Sequence, residues 1–160
     1  MLKIKLLTTG ALSESYFKDA AAEYIKRLGA YCSVSEECFK EVRLPSSPSK
    51  AEIATALDAE GERILASVPQ RAMLVALCIE GKQVSSEEFA KRLDALSTAG
   101  NSELVFVIGG SDGLSDEVKN RAGWKLSFSM MTFPHQLMRV ILSEQLYRAM
   151  NILGGGKYHK

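Results

Sequence analysis

Several features that define whole classes of protein are missing from this sequence. No apolar run approaches the ~20 residues that a membrane-spanning helix needs, and the N-terminal MLKIK alternates like a strand, without the apolar segment of a signal peptide. The three cysteines, Cys32, Cys38 and Cys78, form no CxxC pair, and with only two histidines the chain offers no zinc ligand set. We therefore expect a cytoplasmic protein with reduced thiols that binds neither a membrane nor a metal.

Nucleotide-binding fingerprints are absent or incomplete as well. The stretch FVIGGSDG places Gly109, Gly110 and Gly113 at the end of an apolar run, but no Lys-Ser or Lys-Thr follows, as a P-loop requires. A dinucleotide fingerprint would need GxGxxG and an acid about 20 residues later, where this sequence has SMMTF. Two interpretations stay open: a glycine turn that leads into a helix at Ser115, or a loop whose bare backbone lets a ligand approach closely.

Charge is distributed unevenly along a chain of otherwise ordinary composition. Its 160 residues are 46% hydrophobic and 24% charged, which is typical of one globular domain, here 1–160. Residues 1–118 hold 13 Lys/Arg against 18 Asp/Glu, whereas residues 119–160 hold seven Lys/Arg and one acid, Glu144. This asymmetry indicates an anionic partner such as nucleic acid, or docking of the basic segment on an acidic surface of its own chain or of a partner subunit.

Strand-like and helical patterns alternate along the chain. The predicted strands are 2–9, 31–44, 72–79, 103–110 and 124–129, with EGKQ (80–83) as a turn. The predicted helices are 13–28, 49–67, 85–96, a short one from 115, and 134–150, with capping boxes at Ser49 and Ser85. This alternation predicts an α/β fold with a mostly parallel sheet and helices on both faces. Ligands bind such sheets beyond the carboxyl ends of the strands, which directs attention to the loops after Leu77, Ile108 and Ser127.

The loop SFSMMTFPHQ is unusually apolar. It holds Phe128, Met130, Met131 and Phe133 between small polar residues, whereas loops usually run over the surface. We expect this loop to be buried. It either belongs to the core or forms the wall of a pocket for a flat aromatic ring such as adenine.

The final helix carries two arginines in different surroundings. Glu144 and Arg148 form a favourable i,i+4 pair that supports the helix. Arg139 has no acid three or four residues away, so it is the better candidate to hold a phosphate or a substrate oxygen. His135 stands at the helix start, where the helix dipole disfavours its charged form, and it is equally well interpreted as a structural residue that orients the preceding loop.

Three stretches, FVIGGSDGL, LSFSMMTFPHQLMRVILSEQLYRA and the terminal YHK, together resemble the RlmH family of SPOUT-class methyltransferases, and the resemblance spans the whole chain. It implies a SPOUT-type α/β fold whose C-terminal part is threaded as a trefoil knot, and a homodimer with S-adenosylmethionine bound in the knot. It also implies methyl transfer to ring nitrogen 3 of a pseudouridine in 23S ribosomal RNA on the assembled ribosome.

The resemblance also implies a set of site residues. The implied cofactor contacts are Leu77, Gly109, Phe128, Ser129, Met130, Met131, Thr132 and Phe133. Transfer from an activated donor depends on alignment and on loss of a proton from the acceptor nitrogen, for which His135, Arg139 and His159 are candidates. None of the three is assigned as a general base. Substrate contacts are expected from Arg139, Tyr158 and His159.

The terminal GGGKYHK is either frayed, as chain ends often are, or part of the substrate site. Its two lysines, tyrosine and histidine offer cations for phosphates and rings for base stacking. Two further functions remain open from the residues. One is a non-catalytic dimeric RNA-binding module that retains a nucleotide-sized pocket, and the other is a flavodoxin-like phosphate or flavin binder.

Overall fold

The computed structural model describes residues 1–160, and in it five strands alternate with five helices. The strands are β1 (Lys3–Thr9), β2 (Ser33–Phe39), β3 (Met73–Gln83), β4 (Glu103–Ile108) and β5 (Trp124–Ser127). The helices are α1 (Ser15–Leu28), α2 (Lys50–Ala66), α3 (Ser86–Thr98), α4 (Asp116–Arg121) and α5 (His135–Leu153). All strand pairs are parallel, in the order β2-β1-β4-β3-β5. The predicted parallel α/β fold is confirmed.

Two apolar clusters lie on opposite faces of the sheet, because side chains of a strand alternate between its faces. From β4, Leu104, Phe106 and Ile108 enter the larger cluster, with residues of α1, α3 and α5. Val105 and Val107 enter the smaller cluster, with residues of α2 and α4. Both faces of β4 are therefore covered, which explains its uninterrupted apolar sequence.

Helices α2 and α3 each begin at a serine that forms a capping box. Ser49 Oγ accepts from the backbone N–H of Glu52 at 3.1 Å, and Glu52 Oε2 accepts from the backbone N–H of Ser49 at 2.7 Å. The same reciprocal pair joins Ser85 and Glu88, at 3.1 and 2.9 Å. Both predicted capping boxes are confirmed.

Strand β3 continues through the residues that the sequence predicted as a turn. It pairs with β5 at Val75–Leu77, bulges over residues 78–81, and resumes the pairing at Lys82 and Gln83. Gly81 lies directly against the β5 backbone, since a Cβ there would come within 2.6 Å of the Leu126 carbonyl carbon. The predicted turn at 80–83 is wrong because pairing with β5, a strand formed much later in the chain, extends β3.

The C-terminal part of the chain crosses from one face of the sheet to the other. After β4, the helix α4 packs with α2 on one face, and β5 then joins the edge of the sheet beside β3. Helix α5 lies on the opposite face, where Leu142, Leu146 and Ala149 are fully buried. It begins after Pro134, which occupies the N-cap position, and it ends three residues beyond the predicted 150. The loop 128–134 therefore passes over the carboxyl ends of the strands.

Candidate cofactor-binding site

A cavity of about 780 Å³ lies at the carboxyl ends of β3, β4 and β5. Its walls are residues 77–80, 108–114, 126–129 and 131–135, completed by Lys119 and Met138. These are the three strand-end loops that the parallel-sheet rule selected, together with the start of α5. The volume is within the usual range of roughly 300–1,000 Å³ for small-molecule sites.

The glycine loop after β4 depends on two glycines for its shape. Gly113 has a φ of +84°, a conformation that other residues rarely adopt, and its N–H donates to the Gly110 carbonyl oxygen at 3.1 Å. A Cβ on Gly109 would overlap the backbone of Gly113. The loop is therefore folded tightly on itself, and it presents bare backbone to the cavity.

The loop after β5 is held by short-range hydrogen bonds and one aromatic contact. Ser127 Oγ donates to the Ser129 carbonyl oxygen at 2.9 Å, and Ser129 Oγ accepts from the Met131 N–H at 3.0 Å. Phe128 packs edge-on against Phe89 of α3, with ring centroids 6.4 Å apart. These contacts hold together the start of the loop that lines the cavity.

The expected burial of this loop is only partly correct. Phe128 and Phe133 are half-buried, but Met130 and Met131 are 81% and 72% exposed. Sequence alone did not separate residues that face the cavity from residues at the outside of the turn. Of the eight implied cofactor residues, seven line the cavity and Met130 does not.

Three charged residues that were not predicted as site residues, Glu80, Asp112 and Lys119, also line the cavity. Glu80, in the β3 bulge, forms a salt bridge with Lys119 of α4. The hydrogen bond from Lys119 lowers the pKa of Glu80, so this carboxylate stays ionised at neutral pH. Cys78 lies beside them, and burial raises the pKa of its thiol. Glu80 lies in the stretch 80–83 that was predicted as a turn, and Cys78 lies in the predicted strand 72–79; neither residue was assigned to a site.

His135 and Arg139 are one turn apart on α5, but only His135 lines the cavity. Arg139 donates from Nε and Nη2 to Glu36 Oε1 of β2, at 3.1 and 2.8 Å. The sequence showed no acid near Arg139 because Glu36 is 103 residues away along the chain. The Glu144–Arg148 pair predicted on the same helix is confirmed.

The C-terminal tail folds back on α5. Gly155 has a φ of +69°, and the bare backbone of Gly156 packs on the side-chain amide of Asn151. Asn151 Oδ1 accepts from the Tyr158 N–H at 3.0 Å. The Tyr158 ring stands 4.8 Å from the ring of Tyr147.

The two aromatic side chains of the tail make polar contacts with the same region. Tyr158 Oη donates to Glu144 Oε1 at 3.0 Å, and burial is the main reason that the pKa of Tyr158 is raised. His159 Nε2 lies 2.8 Å from Glu87 Oε1 of α3, and its hydrogen bond lowers the pKa of Glu87 to about 2. Arg148 contacts the other ring nitrogen of His159 at 3.2 Å.

Tail and cavity lie at opposite ends of α5. His135, at the cavity, and Arg148, at the tail, are separated by about 20 Å along the helix axis at 1.5 Å per residue. The structure therefore brings Leu77, Gly109, His135 and most of the loop after β5 together, but it places Tyr158 and His159 elsewhere on the same chain. Helix α5 and the other helices are too short or too polar to cross a membrane.

Comparison with known proteins identifies the family of this chain. The family model described as "Predicted SPOUT methyltransferase" matches residues 2–159. A protein of Streptococcus thermophilus named "Ribosomal RNA large subunit methyltransferase H" is 51% identical over 159 residues, which is 99% of this chain and 100% of that protein. A protein of the same name from Exiguobacterium sibiricum is also 51% identical, with the same coverage.

Two solved structures share the fold at low sequence identity. A probable methyltransferase from Bordetella pertussis superposes with a TM-score of 0.53 at 17% identity, covering 93% of this chain and 96% of that one. A Legionella pneumophila methyltransferase solved with bound SAM has a TM-score of 0.51 at 13% identity, covering 92% and 66%. With the full-length match to the family model and half of its residues shared with curated relatives, the chain belongs to the RlmH family of SPOUT methyltransferases.

Proposed function

We propose that this protein transfers a methyl group from S-adenosylmethionine to ring nitrogen 3 of a pseudouridine in 23S ribosomal RNA on the assembled ribosome. The observation that carries the proposal is the cavity at the carboxyl ends of β3, β4 and β5 in a chain of this family. The names of its relatives support ribosomal RNA of the large subunit as the substrate. We further propose that residues 1–160 work as one domain in the cytoplasm, and that the crossing of α4, β5 and α5 contains the family's trefoil knot.

The residues of the cavity fit S-adenosylmethionine. Leu77, Leu126 and Phe128 offer apolar surface for an adenine ring, and the backbone of the glycine loop offers N–H and C=O groups for its edge. Asp112, Glu80 and Lys119 offer charged groups for the amino and carboxylate ends of the methionine part. Met130, for which the family resemblance implies a cofactor contact, does not line the cavity in this structure.

Methyl transfer from S-adenosylmethionine requires mainly that the protein align the methyl donor with the acceptor nitrogen. S-adenosylmethionine supplies an activated sulfonium methyl group, so the protein's task is to hold the acceptor nitrogen in line with it. His135 stands at the cavity wall, where an imidazole can take up the proton that the acceptor nitrogen loses. Arg139 and His159 remain candidates for stabilising negative charge on the base.

A homodimer would bring the tail to an active site. Within one chain, Tyr158 and His159 lie about 20 Å along α5 from the cavity, so they can contact a substrate base there only from a partner subunit. We propose that the tail of each subunit completes the RNA site of the other. Lys157 and Lys160 would then contribute phosphate contacts beside the base.

The direct test is mass spectrometry of the target nucleotide in ribosomes from a strain that lacks the methyltransferase. We expect a mass increase of one methyl group on the pseudouridine when enzyme and S-adenosylmethionine are both added. Binding of S-adenosylmethionine without transfer to ribosomes would instead support the non-catalytic RNA-binding module. A bound chromophore in the purified protein would support a flavin binder.

A further inference from the structure

The glycine loop that lines the cavity is held from outside by a single carboxylate. Glu41 follows the end of β2, and its Oε1 accepts hydrogen bonds from the backbone N–H of Ser111 at 3.0 Å and from Ser111 Oγ at 3.3 Å. Glu41 does not line the main cavity. It lines a second cavity of about 340 Å³, which shares Ser111 and Asp112 with the first. The glycine loop is thus the wall between the two cavities.

The segment that carries Glu41 is itself anchored to α2. The backbone N–H of Val42 donates to Oε1 of Glu60 at 2.7 Å, and Glu60 is only 7% exposed. Nη2 of Arg63, one turn further along α2, donates to the carbonyl oxygen of Lys40 at 3.1 Å. Hydrogen bonds to charged groups are among the stronger ones in proteins, so residues 40–42 form a fixed support.

Two glycines make room for the Glu41 carboxylate. A Cβ on Gly110 would overlap Glu41 Oε1, although the backbone of Gly110 is not in a conformation that requires glycine. A Cβ on Gly10 would lie 3.4 Å from the same oxygen and 2.8 Å from His135 Nε2. The carboxylate therefore sits where the end of β1, the glycine loop and the first residue of α5 converge.

We propose that Glu41 is a positioning residue for S-adenosylmethionine, acting through Ser111 to hold the glycine loop in its binding conformation. Residues 111–113 are exposed, so without this support the loop would have to be ordered at the moment of binding. Ordering a loop on binding lowers affinity, and preorganising it restores that affinity. The inference rests on the proposed function, because it takes the main cavity as the cofactor site.

Calorimetric titration of the full-length protein with S-adenosylmethionine tests this role. We expect Glu41→Ala, which removes both hydrogen bonds to Ser111, to weaken binding about fivefold to tenfold, with a melting temperature close to that of the wild type. Glu41→Gln keeps an oxygen acceptor and should stay within about threefold of the wild type. The matched control is Glu62→Ala, which removes an exposed glutamate from α2 and should change nothing. Wild-type affinity in Glu41→Ala would overturn the proposal, as would equal losses in the Ala and Gln variants.

A double-mutant cycle with Gly110 separates positioning from direct contact. Gly110→Ala should displace the Glu41 carboxylate and weaken cofactor binding in the wild-type background, but it should have little further effect in Glu41→Ala. An equal loss in both backgrounds would mean that the added methyl group blocks the cavity directly, and would overturn the role of Glu41.

If the wild type itself does not bind S-adenosylmethionine, the proposed function fails. If Phe128→Ala weakens binding and Glu41→Ala does not, only the positioning role fails.

Discussion

The three cysteine thiols of this chain have very different surroundings. Cys32 is 2% exposed in the connection between α1 and β2, and burial raises the pKa of its thiol to about 11. Cys38 is exposed on β2, where its Sγ donates to the Gly10 carbonyl oxygen at 3.2 Å. Cys78 is partly buried in the cavity wall. Because thiol reactivity depends on ionisation and access, these sites report on different parts of the molecule.

Alkylation of the native protein should distinguish the three thiols. With iodoacetamide at pH 8 we expect Cys38 to react first, Cys78 more slowly, and Cys32 only after unfolding. Saturating S-adenosylmethionine should slow the reaction at Cys78 at least about threefold and leave Cys38 unchanged, because only Cys78 lines the cavity. Peptide mass spectrometry reads each site separately. Equal protection of Cys38 and Cys78 would contradict this placement of the cofactor.

The raised pKa of Cys32 predicts a loss of stability in alkali. In the unfolded chain this thiol ionises near its ordinary pKa of 9.0, whereas in the folded protein it keeps its proton up to about pH 11. Between these values the unfolded state is favoured increasingly as pH rises, so the free energy of unfolding should fall. Urea unfolding at pH 8 and pH 10.5 measures the fall, and Cys32→Ala should reduce it by about 1–2 kcal/mol. If the free energy of unfolding depended on pH identically in the wild type and in Cys32→Ala, the raised pKa of Cys32 would be contradicted.

At the level of single residues, sequence reasoning found partners that are close along the chain. The Glu144–Arg148 pair follows from helical spacing. The pairs Arg139–Glu36 and Glu41–Ser111 do not, because they depend on which strand ends become neighbours in the sheet. Arg139 was predicted as a site residue because no acid lies three or four residues away from it. In the fold, Glu36 of β2 is its partner.

Among the structural elements, the bulge of β3 forms part of the cavity wall although it lies within a strand. Residues 78–80 lie in this wall, and Gly81 returns the strand to β5 with its Cα against the β5 backbone. Bulges beside active sites commonly redirect side chains in this way. Here the bulge points Cys78 and Glu80 into the cavity.

Replacing Gly81 should separate β5 from β3. A Cβ at Gly81 would lie 2.6–2.8 Å from backbone atoms of Lys125 and Leu126, which cannot rotate away as a side chain could. We expect Gly81→Ala to lower the free energy of unfolding by about 1–3 kcal/mol, the usual cost of overpacking, and to weaken S-adenosylmethionine binding. Urea unfolding and calorimetry measure the two effects. Gln83→Ala, at an exposed position of the same strand, should be close to the wild type, and a neutral Gly81→Ala would refute the close packing of β3 on β5.

Elements defined by local signals were predicted best. The two capping boxes started α2 and α3 at the predicted residues, because each box is completed within four residues. Strand β2 was predicted as 31–44 but spans only Ser33–Phe39, where the pairing with β1 ends. The longer β3 and the shorter β2 have the same cause. A strand ends where its pairing with a neighbouring strand ends, and the residue pattern of one segment does not show which strand that neighbour is.

At the scale of the whole molecule, the C-terminal tail, for which we propose a role in the RNA site, is docked on its own chain. Asn151 and Tyr31 share a hydrogen bond of 3.2 Å, so the tail anchor joins the end of α5 to the loop after α1. Tyr158 and His159 are held in defined positions before any substrate arrives. Such preorganisation favours a tail that takes part in binding.

Deletion of residues 157–160 should abolish methylation and leave cofactor binding largely intact. The deleted residues lie far from the cavity of their own chain but carry the proposed substrate contacts of the tail. We expect at least a hundredfold loss of methyl transfer to ribosomes, with the affinity for S-adenosylmethionine within about twofold of the wild type. Tyr158→Phe, which keeps the ring and loses the bond to Glu144, serves as a mild control. Full activity of the truncated protein would show that the tail has no role.

The size of the molecule predicts a requirement for the assembled ribosome. A specific interface with nucleic acid usually buries about 1,000–2,500 Å² of protein surface, which is roughly a tenth to a quarter of the 8964 Å² that this chain exposes, and the proposed dimer contact draws on the same surface. We expect methyl transfer to the naked RNA hairpin to be at least tenfold slower than to ribosomes at the same RNA concentration. Transfer of labelled methyl groups to both substrates measures the ratio. Equal rates would place recognition in the hairpin alone.

The cavity is built from segments that are far apart along the chain, and its last wall is the start of α5 at residues 133–138. During synthesis, a nascent chain that stops anywhere before this point has no closed cofactor site, although β1 to β4 can already pair. Acquisition of the cofactor is thereby coupled to synthesis of the segment that begins α5. A nascent chain that lacks this segment would consequently not compete for S-adenosylmethionine with molecules that contain it.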